Sequence, residues 1–411
     1  MSGYIDLVLP RFLRYVRYGT ASDSANLSVT PTTPGQWTLA RALVQELQDL
    51  GVDASLTDSC YVLARLPASA GREHAPTIGF LAHLDTSDEV SGENVTPILV
   101  ENYDGNPIQL AAGICLDSEK EPDLAAHIGR AIVHSDGTTL LGADDKAGIA
   151  AIIGAVEYLL QNPDIAHGPV EIIFSPDEET GKGLPAFPRD QIHAVACYTV
   201  DGGAQGELES ECFNAYHAAV SFRGRVTHLG TARGVLVNAA LMAAAFAALL
   251  PRSESPEATD GYYGYYCVTG IRGDLEKAEI EVFIRDFDRK NAENRCESLK
   301  YFAKAVEAQF PGGTVEVNIK EQYLNMKEKI ALRPEVVTLL KEAYIRAGVD
   351  PRIQPIRGGT DGSRLTEMGI PTPNIFTGGR NFHSRSEWLS VDEMATASAL
   401  VVELIRLWGE A

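Results

Sequence analysis

Five stretches of this 411-residue chain carry the side chains best suited to binding cations and moving protons. His83-Leu84-Asp85 ends one apolar run, and Asp144-Asp145 stands in LLGADDKAG between an apolar run and a helix-like one. Asp177, Glu178 and Glu179 stand in a row in SPDEETGKG, Asp201 precedes two glycines in TVDGG, and His383 lies in GGRNFHSRSEW. So many carboxylates at one place cannot all stay ionised without compensation, because like charges a few ångströms apart disfavour each other's ionisation. Divalent cations remove the conflict. Imidazole with carboxylate suits Zn2+ or a related ion, whereas Mg2+ and Ca2+ favour all-oxygen sites. Two histidines and three or four carboxylates would fill two sites that share one bridging carboxylate. Paired sites of this kind hold a hydroxide between the metals and clamp a tetrahedral intermediate. A spare carboxylate would then act as general base toward water.

Taken singly, each stretch has an ordinary explanation. His-x-Asp is a common strand end, Asp144-Asp145 would cap a helix, an acidic run is a solvated loop, and Asp-Gly-Gly is a turn. Their combination is what carries specificity, and it depends on the elements that hold them. CYVLARL, PTIGFLAHLD, GPVEIIFSPDEE and HAVACYTVDG read as strands, several of them apolar throughout and so buried on both faces. Lys146–Leu160 reads as a helix between them. The alternation predicts an α/β sheet, in which ligands collect at the carboxyl ends of the strands. The clusters fall at those ends. A period of two also puts His83 and Asp85 on the same side.

An earlier helix is predicted over Pro34–Leu50, with Thr33 as N-cap, Gln36 completing a capping box and Gly51 as the stop. The pattern changes near Cys212. Strand Ala215–Gly224, helix Val235–Leu250, strands Tyr263–Arg272 and Ala278–Phe287, helix Arg289–Phe310 and strand Thr314–Tyr323 follow in a β-α-β-β-α-β order, which is ferredoxin-like. The α/β signature then resumes with helix Pro334–Ala347, a glycine-rich loop RGGTDGS, strand Pro373–Phe376 and a final helix Val391–Trp408. A small α+β domain is therefore expected inside a larger α/β one.

Lys+Arg 35 against Asp+Glu 56 leaves a formal charge of −21. Without a basic face, neither nucleic acid nor an anionic membrane surface is an expected partner. The N-terminal stretch lacks signal-peptide anatomy, and the longest small-apolar run, Ala239–Leu250, falls short of the ~20 residues that span a bilayer. Six scattered cysteines without framework spacing read as reduced thiols of a cytoplasmic protein.

HLDTSDEVSG, GADDKAG, PDEETGKG, TVDGG, THLGTARGVLVNA, IRDFDRK, RGGTDGSRL and PNIFTGGRNFH together resemble the di-zinc exopeptidase family of aminoacylases and glutamate carboxypeptidases. The resemblance covers nearly the whole chain, in that family's order and spacing. It implies an α/β catalytic domain with a mixed β-sheet flanked by helices, formed by 1–211 and 324–411, and an inserted ferredoxin-like α+β lid over 212–323. It implies two Zn2+ per chain, one held by His83 and Asp201, the other by Glu179 and His383, with Asp144 bridging. The Asp144–Asp145 peptide would be cis. Asp85 would orient the His83 imidazole, and Glu178 would be the general base. His228 would polarise the scissile carbonyl and Arg285 would hold a substrate carboxylate, although Leu229 replaces the proline that usually follows the lid histidine. The implied activity is removal of the N-terminal residue from short peptides, tripeptides foremost, by an enzyme whose relatives include homodimers. A related dipeptidase, carboxypeptidase or N-acyl amino-acid deacylase stays open beside it, whereas Glu178 and Asp85 argue against a non-catalytic metal- or peptide-binding protein. Mg2+-dependent phosphoryl transfer is disfavoured by the two histidines and the lack of a phosphate-binding glycine-lysine loop.

Overall fold

Strands Ile78–His83, Val170–Ser175 and Ala196–Gly202 form where the apolar runs are unbroken, and almost every residue in them is buried. Alternate side chains serve two different cores. Phe80, Ile172 and Tyr198 join the larger one with helices Ser2–Tyr15, Ala143–Gln161 and Val391–Glu410, while Leu81, Ile173 and Cys197 join a smaller cluster with Leu184 and Leu365. The computed structural model describes residues 2–181 and 184–411; Lys182 and Gly183, the end of the SPDEETGKG run, lie outside the described residues.

These strands belong to an eight-stranded sheet in the order Asp53–Leu56, Val62–Leu66, Val170–Ser175, Ile78–His83, Ala196–Gly202, Asn374–Phe376, Glu207–Cys212, Arg352–Ile356. The central four run parallel and their neighbours Val62–Leu66 and Glu207–Cys212 pair antiparallel, so the sheet is mixed, as the resemblance implies. A smaller sheet contains the hairpin of Gly379–Arg380 and Trp388–Ser390, and the segment carrying His383 is the connection between those two strands.

Two compact units divide the chain: Met1–Ser210 with Lys329–Gln354 and Thr360–Ala411, and Glu211–Glu328 with Pro355–Gly359. In the second unit, the strand order Tyr265–Gly273, Lys277–Asp286, Asn214–Arg223, Thr314–Tyr323 is that of a ferredoxin-like sheet. Its buried residues alternate, because helices Ala239–Leu249 and Arg289–Gln309 pack with one face to make the core. Pro355–Gly359 joins this unit because Arg357 donates to the carbonyls of Thr259, Gly261 and Tyr263. Among the described residues no helix is long and apolar enough to cross a membrane.

Three local expectations need correction. The capping box at Thr33 does not close: its hydroxyl donates to Ala21 O, and the Gln36 amide turns to Asp177. The helix expected from Val235 starts at Ala239, where Asn238 caps it and Val237 is held in a bridge with Arg225. The glycine-rich RGGTDGS segment is not all loop; helix Asp361–Glu367 begins inside it, capped by Thr360.

Candidate metal centre

Because the central strands are parallel, their carboxyl ends share one edge, and five of the seven residues assigned to chemistry in this unit hang from it. His83 is the last residue of its strand, Asp85 lies two beyond, Glu178 and Glu179 follow Val170–Ser175, and Asp201 is the penultimate residue of its strand. Asp144 comes from the irregular first turn of helix Ala143–Gln161, whose Asp144–Asp145 peptide is cis, and His383 comes from the hairpin. Two trios result, His83 with Asp144 and Asp201, and Asp144 with Glu179 and His383; within each, the ligand atoms lie within 4.8 Å of one another. His83 Nε2 is 2.8 Å from Asp144 Oδ1 and 3.5 Å from Asp201 Oδ1. His383 Nε2 is 3.2 Å from Asp144 Oδ2 and 3.0 Å from Glu179 Oε1. Asp144 thus turns one oxygen to each trio.

The donor set fits divalent cations on two counts. Glu179 Oε1 is buried and has no hydrogen bond of good geometry, its one close neighbour among the ligand-type atoms of His383 being Nε2 at ion-pair distance, 3.0 Å. The electrostatics agree. Burial pushes Glu179 and Asp201 up to about 7. Contacts with Asp144 and Glu179 push His383 up to about 11. For Asp144, burial is outweighed by its contacts with His383 and His83, which hold it below the usual carboxylate range. Glu179, Asp201 and His383 rise together, with Asp144 alone held down by two imidazoles, which defines a place short of positive charge that bound protons or metal ions must supply.

The acidic run divides its labour. Asp177 points away from both trios and accepts from the Thr32 backbone and hydroxyl and from the Gln36 amide. Glu178 is held well above the usual range by burial, opposed by His83 and reinforced by Asp201, Asp361 and Glu179. Asp85 accepts the N–H of Glu178 (3.0 Å) on one oxygen and that of Glu179 (3.1 Å) on the other. Hydrogen bonds to a charged acceptor contribute roughly 1.5–3 kcal/mol each. Its carboxylate lies 3.4 Å from His83 Nδ1, and the closer partner of that nitrogen is the Asp85 carbonyl at 3.1 Å. Asp85 therefore positions the Glu178–Glu179 turn as well as touching the imidazole.

Sequence reasoning passed over several neighbours. Asn374 accepts the Asp201 N–H at 3.1 Å and donates to Glu209 at 2.7 Å. Glu89 Oε2 faces His383 Nδ1 at 3.2 Å. Both lie inside quoted motifs, PNIFTGGRNFH and HLDTSDEVSG, but nothing in residue type marks them out. His228 and Arg285 belong to the second unit. His228 is exposed and its Nδ1 accepts the Gly230 N–H at 3.1 Å, which leaves Nε2 to carry the proton. Arg285 is buried, donates through Nη1 to the carbonyls of Tyr216 and Ile284, and sits over the Phe283 and Tyr323 rings.

The hairpin that carries His383 is braced from behind. Arg380 Nη2 donates to Glu393 at 2.9 Å, and His127 Nε2 lies 3.1 Å from the same carboxylate. Burial pulls the His127 pKa down, but Glu393 and the Asp123 carbonyl outweigh it and the net shift is upward. A pKa raised by folding stabilises fully below the unfolded value of about 6.5, and the contribution fades as pH rises through the folded value. The melting-temperature advantage of the parental chain over His127→Gln should be largest near pH 6 and shrink toward pH 9. An advantage that is equal at both pH values would contradict this.

The sequence profile of Peptidase family M20/M25/M40 matches residues 133–407. Peptidase T of Geobacillus sp. (strain WCH70) is 46% identical over 406 residues, covering 98% of each chain. Two solved structures share the fold: an aminopeptidase from Bacillus cereus, with TM-score 0.76 at 23% identity over 98% of both chains, and a tripeptidase from Staphylococcus aureus, with TM-score 0.79 at 20% identity over 99% of both.

Proposed function

Since this chain belongs to Peptidase family M20/M25/M40, we propose that it removes the N-terminal residue from short peptides, tripeptides foremost, using two Zn2+ ions. It is a metal-dependent peptidase. The observation that carries the two-ion reading is the placement of Asp144, with one oxygen toward each histidine-bearing trio. His83 and Asp201 would hold one ion, Glu179 and His383 the other, and Asp144 would bridge. When bound, such ions polarise a carbonyl and make water acidic enough to attack near neutral pH.

The protein's own residues do the rest. Glu178 takes the proton of the attacking water and returns it to the leaving amine, a task suited to a carboxyl whose proton affinity burial has raised. Asp85 keeps that turn in place through the two backbone N–H groups. His228 offers its Nε2–H to the charge developing on the carbonyl oxygen, and the remaining N–H groups of Arg285 grip the peptide's terminal carboxylate. Six cysteines scattered without framework spacing support a reducing, cytoplasmic setting. The same reading includes a homodimer, which sedimentation would check.

Product analysis tests the substrate class. Tripeptides should yield the free N-terminal residue and a dipeptide, and N-acylated tripeptides should be inert; release of the C-terminal residue would contradict the assignment. For Arg285, the Arg285→Ala variant should lose more kcat/KM on tripeptides with free C-termini than on amidated ones. Equal losses on both would remove Arg285 from carboxylate binding.

A further inference from the structure

The bridging aspartate sits on a turn that one distant carboxylate holds. Glu387 is almost wholly buried, at 1% exposure, and lies four residues beyond His383. Its Oε2 accepts the N–H groups of Leu141 (2.7 Å) and Gly142 (2.8 Å), and its Oε1 accepts those of Ala143 (2.7 Å) and Asp144 (3.2 Å). Four consecutive donors converge on it because Gly142 turns the backbone to φ +82°, making the concave nest of N–H groups that favours an anion. Lys146 is also buried here, with its ammonium 3.4 Å from where a Cβ on Gly142 would stand.

The other end of Glu387 is equally tied. Its own N–H donates to Ser384 O at 3.3 Å, the Ser384 hydroxyl donates to Asn381 O, and Asn381 Nδ2 donates to Ser386 O. The side chain therefore locks the turn that presents Asp144 to the hairpin loop that presents His383, and those two residues meet at 3.2 Å. Ligand constellations need their atoms held to about half an ångström, and neither loop is a regular element that could do this alone.

We propose that Glu387 is a positioning residue that sets Asp144 and His383 in register for cation binding, an inference that rests on the metal reading of the two trios. Glu387→Gln keeps the size but offers one acceptor oxygen, and it turns an NH2 group toward backbone N–H groups. On the chelator-stripped chain, calorimetric titration with Zn2+ should show affinity weakened by about 10–100-fold, the usual cost of losing such a supporting partner. With saturating metal restored, kcat should fall while KM for a tripeptide moves little, as expected when ground-state binding is intact. The metal-free melting temperature should fall as well, because buried backbone N–H groups lose a charged acceptor, so metal affinity is read at a temperature where the variant is fully folded. Glu387→Asp, which keeps the anion on a shorter arm, should fall between the two and carries the same readout if Glu387→Gln does not fold.

Metal affinity of folded Glu387→Gln within about twofold of the parent, or of Glu387→Asp where that variant alone folds, well short of the loss expected for a lost partner, would overturn the positioning role alone. Failure of both variants to fold would assign Glu387 to folding and overturn it too. Absence of Zn2+ binding by the parental chain would instead sink the metal reading, and the role of Glu387 with it.

Discussion

Glu178→Ala is expected to lower kcat by about 10²–10⁴-fold, the usual contribution of a general base, while the variant retains the parental metal content. The separation of the two effects is what the geometry predicts. Neither trio contains Glu178, so its removal takes away no ligand atom. The turn also survives, because Asp85 holds it through the backbone N–H groups of Glu178 and Glu179, and these do not depend on the side chain. KM should change little, since proton transfer belongs to the transition state and not to ground-state binding. Substantial turnover in the variant would show that another group moves the proton. Metal lost together with activity would show that Glu178 is a ligand.

Asp144→Asn should do the opposite, emptying both sites at once. Every other ligand serves one trio, whereas Asp144 turns Oδ1 to His83 and Oδ2 to His383. An amide offers one neutral oxygen and a nitrogen with no lone pair to give, so one site loses its bridge and the other loses a charge. Metal content should therefore drop at both sites, and activity should vanish with it. Stability supplies an independent readout. A ligand present at a thousand times its Kd stabilises the folded state by about 4 kcal/mol, so excess Zn2+ should raise the melting temperature of the chelated parent and leave Asp144→Asn almost unmoved. His83→Ala should show an intermediate loss, concentrated in one site. Equal metal content in Asp144→Asn and the parent would remove the bridge from the account.

What the sequence made legible follows a physical divide. The metal-binding candidates are unusual residue types at strand ends, and a parallel sheet gathers strand ends without any further information, so His83, Glu179 and Asp201 were readable before any coordinates. Asp144 and His383 were readable as chemistry, though their meeting depends on a turn and a hairpin. Supporting contacts were not readable in the same way. Glu387 acts by accepting backbone N–H groups, which carry no sequence signal, and its partners lie about 245 residues away. Gln36 shows the converse: three residues past Thr33 it reads as a capping-box residue, yet buried Asp177 is the stronger claimant for its amide. There the local pattern yielded to a buried charge that needed a partner.

The account stands most directly on one joint measurement: metal ions bound per chain, counted on the Zn2+-loaded protein after removal of unbound metal, with the residue released from a tripeptide identified in the same preparation. Two ions per chain with release of the N-terminal residue is the predicted result. One ion or none in a fully active preparation, or release from the C-terminus, would contradict it.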